Sequence, residues 1–186
     1  KQTATESKQL KSLFQMLAQA RIWETELEAM LWEHMVAEDP LLEFSSKSLN
    51  KLYAMRNDLE GLTRAAERLT HLHPEADEVF LNLVLFRIYG GAEPIMTDAE
   101  RDRLETLGDS SSRARVVLAL LERIRGNATR AQAVAELLPE SIKSQPEYAG
   151  YLGFILEKTN PKRAEEYREL AASASYLTFE RRFLGL

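Results

Sequence analysis

Apolar residues recur three and four positions apart along almost the whole chain, in ten separate stretches. That spacing puts them on one face of an α-helix. No run alternates apolar and polar residues between hairpin turns, so the pattern predicts an all-α protein. Helices are expected near residues 7–20, 23–37, 46–56, 58–72, 76–89, 97–107, 111–125, 128–138, 146–158 and 161–174. A short apolar segment from Tyr176 to Leu186 follows, and residues 1–6 are expected to form a flexible tail.

The residues that break helices fall where this map needs them. All six prolines (Pro40, Pro74, Pro94, Pro139, Pro146 and Pro161) lie between the stretches or in the first turn of the next, where the missing N–H costs little. Gly90, Gly91, Gly108 and Gly126 follow apolar-periodic runs and are expected as left-handed C-caps. Thr97 with Glu100 reads as a capping box, and Asn160 before Pro161 reads as an N-cap. Asp58, Asn127 and the serines Ser110 to Ser112 supply further N-cap oxygens. With connections mostly two to five residues long, consecutive helices should lie antiparallel, as a bundle or a helical solenoid within one domain, 1–186.

A period chooses the solenoid. Pro40 and Pro74 each close a helix pair, thirty-four residues apart. The segment "SLNKLYAMRNDLEGLTRAAERLTHLHP" resembles a tetratricopeptide repeat. Leu49 and Tyr53 stand on its first helix, Asn57-Asp58 in the turn, Leu62, Ala66 and Leu69 on its second helix, and Pro74 at its end. Two later segments are similar. "RARVVLALLERIRGNATRAQAVAELLPE" has Leu118-Ala119, Gly126-Asn127 and Ala131 at matching places, and "PEYAGYLGFILEKTNPKRAEEYRELAAS" has Leu152-Gly153, Ala164 and Ala171. The unit from Glu75 to Gly108 keeps Phe80 and Leu83, but its long connection "GGAEPIM" should displace its second helix. The first pair keeps Trp32 and little else. The resemblance covers residues 8–175 as about five antiparallel helix pairs. It implies a right-handed α-α superhelix with a C-terminal cap at 176–186.

Composition narrows the function. A chain of 186 residues, 45% hydrophobic and 28% charged, suits one soluble domain. Its longest apolar run, Val79 to Phe86, is far too short to cross a bilayer. The absence of cysteine removes disulfides, thiol nucleophiles and thiolate metal sites, and leaves cytoplasm and periplasm equally open. Because residue 1 is Lys rather than Met, the chain reads as a mature or excised fragment. Net charge is −5 with both signs interspersed, so no basic stripe is present to follow a phosphate backbone. Arg181-Arg182 reads as a solvated helix face.

Candidate chemistry is sparse. His71-x-His73 stops the eye, with Glu67 one helical turn before His71; His34 and Glu38 repeat the spacing. Residues two apart on a helix point in different directions, and two ligands make only half a metal site. Imidazoles in a last turn sit well against the C-terminal dipole instead. No nucleophile elbow, phosphate loop or dinucleotide fingerprint occurs, and no catalytic residue, cofactor or metal is expected. The Asn127-Ala128-Thr129 sequon reads as a helix start. A His-dependent metal enzyme and a regulatory sensor domain of a longer protein are the competing readings.

What the resemblance implies is a concave groove lined by first helices that docks a protein or peptide segment, without nucleic acid or membrane insertion. By position the groove would present Lys47 and Lys51; Leu81, Asn82, Leu85 and Tyr89; Val116, Leu120 and Arg123; and Tyr151 and Phe154. The family's carboxylate clamp of Lys and Asn is not reproduced. This surface is apolar enough for an apolar or amphipathic segment, or for filling by the chain itself. The tail "SYLTFERRFLGL" is expected to pack back on the last unit as its cap; partner or homodimer contact through the same surface is the alternative. Trp23 and Trp32 are expected in the core or at the edge of the first unit.

Overall fold

The structure, a computed structural model, describes residues 25–38, 43–91, 94 and 96–186, together with Ser12. Eleven helices follow one another among these residues, without a strand. They are α1 (Thr25–Glu38), α2 (Glu43–Arg56), α3 (Leu59–Leu72), α4 (Asp77–Tyr89), α5 (Asp98–Ser110) and α6 (Ser112–Ile124). After them come α7 (Ala128–Glu136), α8 (Glu140–Lys143), α9 (Pro146–Leu156), α10 (Pro161–Ala171) and α11 (Thr178–Leu184). The chain is all-α, as its apolar period requires. Apart from Ser12, the expected helix at 7–20, the expectation for residues 1–6 and that for Trp23 lie outside the described residues. Nothing in the periodicity points to α8, because four residues are too few to show a period.

Four of the five helix starts where a capping side chain is expected use it. Asp58 accepts the Gly61 N–H at 2.9 Å, Ser111 accepts that of Ala114 at 3.3 Å, and Asn160 that of Arg163 at 3.2 Å. Thr97 and Glu100 form the reciprocal box, with bonds of 3.2 and 2.8 Å. Three expectations need correction. Asn127 does not cap α7 with its side chain; its Nδ2 donates instead to the buried Glu122 carboxylate at 2.9 Å. Gly108 is no C-cap, since α5 runs on to Ser110 and the glycine lies buried against Leu118. Gly90 keeps a right-handed backbone, and its neighbour Gly91 carries the positive φ of 80°.

Contacts run mainly between sequence neighbours: α1 with α2, α2 with α3, α3 with α4, α6 with α7, and α9 with α10. A second set joins α4 to α6 and α6 to α9, so these three lie side by side. The helices α2, α4, α6 and α9 begin at residues 43, 77, 112 and 146, at steps of 34, 35 and 34. The step is irregular only for α5. Beyond the long connection after Gly90, α5 packs chiefly on α6. It is tied to α4 by Arg103, which lies 4.6 Å over the Phe80 ring and bonds Asp77 at 2.7 Å.

Small residues set the close approaches. A Cβ on Gly153 would meet the Ala164 carbonyl oxygen at 3.2 Å, so the α9–α10 crossing depends on its absence. A Cβ on Gly61 would come within 2.4 Å of the Tyr53 ring, which lets α3 lie close on α2. Two clusters form the core. One joins Trp32, Met35 and Val36 to Leu49, Leu52, Tyr53, Leu62 and Ala65; the other runs from Phe80 through α6 to Ile155. Phe86 and Phe179 pack against both.

Candidate functional site

The face made by α4, α6 and α9 is covered in part by the end of the chain. After α10, six residues carry the backbone to α11, which packs on both α9 and α4. This goes beyond a cap on the last helix pair. Phe179 and Phe183 stand one turn apart on α11 and therefore share a face. Phe179 meets Phe86 edge-on, with centroids 6.5 Å apart, and Tyr89 at 5.6 Å. Phe183 lies 5.4 Å from Tyr89 and 4.7 Å from Phe154. The Arg123 guanidinium sits 5.1 Å over the Phe154 ring, held by Glu157 at 3.3 Å.

Polar groups fix the register. Glu180 Oε1 accepts the hydroxyls of Tyr89, at 2.9 Å, and of Tyr151, while the two hydroxyl oxygens lie 2.9 Å apart. Glu180 Oε2 accepts the Leu177 N–H at 3.0 Å and so starts α11. The next amide, Thr178, donates to Asn57 Oδ1 at 2.7 Å. Asn57 itself has φ 52°, in the turn between α2 and α3. At the other end of the segment, the Tyr176 hydroxyl donates to the Pro146 carbonyl at 2.5 Å and accepts the Gly150 N–H at 3.0 Å. A Cβ on Gly150 would lie 2.8 Å from that hydroxyl, so the glycine makes room for the tail.

These contacts hold the phenols neutral. Burial pushes the Tyr89 pKa well above its ordinary value, and the neighbouring Tyr151 hydroxyl and Glu180 carboxylate push the same way. Tyr151 is raised by burial first and by Glu180 second. A neutral phenol beside a carboxylate is a donor, which is the role both play here.

Next to α11 a cleft of about 360 Å³ remains open. Of the residues expected in the groove, Asn82, Leu85, Tyr89, Val116 and Tyr151 line it. Phe154 packs against Phe183, and Arg123 lies over the Phe154 ring. Leu81 and Leu120 do not face the groove; at 1% and 0% exposure they belong to the core, because the stripe facing the neighbouring helices is wider than positional transfer allows. Lys47 and Lys51 are exposed on α2 and do not line the cleft. Sequence reasoning missed Phe86, Arg113, Glu147 and Tyr148 on the cleft wall, and Asn57, which accepts the Thr178 N–H at the start of α11. Arg113, bonded to Glu78 at 2.6 Å and Asn82 at 2.5 Å, carries no motif that could have marked it.

The histidine candidates are not brought together into a site. His34 is exposed on α1, His71 is exposed in the last turn of α3, and His73 ends that helix through its backbone N–H to Leu69. Glu67 takes Arg87 at 3.2 Å. Among the described residues, no group of three or more His, Asp or Glu side chains is placed to hold a metal ion, and no helix is long and apolar enough to cross a membrane. Compared with family models, with curated proteins and with solved structures, the chain matches none of them.

Proposed function

We propose that the chain is a non-catalytic protein-interaction module, a tetratricopeptide-like right-handed superhelix of about five helix pairs that docks a partner segment on the face of α4, α6 and α9. The near-constant step of 34 or 35 residues between first helices supports the repeat architecture, as does the side-by-side packing of α4, α6 and α9. The single observation that carries the interaction role is α11 itself. A short amphipathic helix already sits on this face through aromatic and carboxylate contacts, so the surface has the chemistry to bind one. The chain's acidity and scattered basic residues favour protein over nucleic acid as partner.

The test is site-specific photo-crosslinking in the cells that make the protein. A photoreactive side chain at Asn82 or Tyr148, beside the open cleft, should give adducts of discrete mass. The same group at Asp102 on α5 should not. Equal adducts at all three positions, or none at any, would remove this reading.

A further inference from the structure

The docked tail specifies what the groove recognises. We propose that α11 is a ligand held in cis, and that the groove takes in trans a short helix of the same chemistry from another protein. That ligand has two aromatic residues four positions apart and a carboxylate directly after the first. This inference rests on the interaction reading above and names its ligand class.

Three receptors on the groove define that pattern. The seam between the two cores, at Phe86 and Tyr89, takes the first ring; the pair Tyr89 and Phe154 takes the second. Between them the hydroxyls of Tyr89 and Tyr151 converge on one carboxylate oxygen. The Asn57 carboxamide adds a fourth contact, to a backbone N–H at the helix start, where amides lack partners within the helix. None of these requires that the ligand be joined to residue 171.

The tail is attached in a way that permits exchange. Of the seven residues of α11 only Leu184 is buried; Phe179, Glu180 and Phe183 are half-buried. A helix this short does not persist alone, so undocking and unwinding occur together, at the low-stability end of the molecule. Opening also leaves no stranded polar atoms on the groove. The Tyr89 and Tyr151 hydroxyls stay within 2.9 Å of each other and become accessible to water. The open cleft beside the tail, with Arg113 and Glu147 on its wall, accommodates a ligand that extends beyond the footprint of α11.

Being tethered, the tail competes at high effective concentration, so a free ligand binds the unaltered chain weakly. The probe is a fluorescein-labelled synthetic peptide of residues 175–186, titrated into the full chain and into the full chain carrying Phe179→Ala and Phe183→Ala. The double variant should bind it saturably and at least about tenfold more tightly than the unaltered chain. Replacing Glu180 by Gln in the peptide, or Tyr151 by Phe in the receptor, should weaken that binding severalfold. If the double variant does not fold, Phe183→Ala alone serves instead, since it removes one anchor from the tail and leaves every groove residue unaltered. No saturable binding to a folded variant, or equal binding to both chains, overturns the proposal. So does a dimer of the unaltered chain that disappears in the tail variants, which would place α11 on a second copy. Cleft crosslinks combined with no peptide binding would remove the cis-ligand proposal and leave the interaction module standing.

Discussion

Helices α10 and α11 both pack on α9, but they are held there by different means. Along α10, Ala164 and Ala171 are completely buried, and the helix approaches so closely that a Cβ on Gly153 would press on the Ala164 carbonyl at 3.2 Å. Along α11 the contacts are half-buried rings, one shared carboxylate and a few hydrogen bonds. The first interface has the density of a protein interior, where a single added methylene is felt. The second resembles a docked peptide, with aromatic anchors and a polar rim. Neighbouring faces of one helix are therefore packed by different means, one by close backbone approach and the other by rings and a carboxylate.

That contrast can be broken at its strong side first. Ala164→Leu should overpack the α9–α10 crossing and cost about 3 kcal/mol, a fall of about 6 °C or more in Tm followed by circular dichroism at 222 nm. An unchanged melt would mean that this interface is looser than its geometry. On the other face, Phe183→Ala should cost about 1 kcal/mol, since one half-buried ring and its contacts with Tyr89 and Phe154 are lost. Its main effect should be local. Hydrogen exchange read by mass spectrometry should show residues 178–184 losing protection while Ala164–Leu170 keep theirs. Loss of protection in both helices would show that they are one cooperative unit.

Gly150→Ala sharpens the comparison further, because it leaves α9 intact. Alanine favours the helix by about 1 kcal/mol over glycine, which offsets part of the lost tail contact, so Tm should move little. Tyr176 should nonetheless be displaced, which would appear as a changed tyrosine environment in near-ultraviolet circular dichroism. The smallest effect at neutral pH comes from the phenols. Their pKa values are raised in the docked state, so docking keeps its full strength below the ordinary tyrosine value of 10.0 and weakens as pH rises above it. Exchange of residues 178–184 should accelerate above about pH 10, after correction for the intrinsic rate. Tyr89→Phe with Tyr151→Phe should abolish that pH dependence; if it persists, the phenols are not its cause.

Much of the architecture was legible because it depends on repeated local rules. The apolar period located the long helices, and Asp58, Thr97 and Asn160 marked their starts through side chains whose oxygens reach the orphan amides. The exceptions have local causes as well. Asn127 was drawn off by Glu122, a buried carboxylate whose need for partners no motif announces. The groove was half legible. Position alone found Asn82, Leu85, Tyr89, Val116 and Tyr151, because residues four apart on one helix share a face. It could not separate them from Leu81 and Leu120, which the neighbouring helices cover. The tail's apolar residues announced that it would pack somewhere, yet its reach to α4 depends on Glu180 meeting two tyrosines sixty-two residues apart in sequence, and no local pattern records that.

The bond from Thr178 to Asn57 joins residues 121 apart in the chain. An array whose helices touch mainly their neighbours can fray from either end, one unit at a time. Tying the tail to the turn after α2 makes the chain a loop, so that loosening a middle unit also strains the closure. The ordering cost of such a long-range contact falls late in folding. This protein should therefore assemble its helices quickly and close the loop from residue 57 to residue 178 last, and displacing the tail would open that loop.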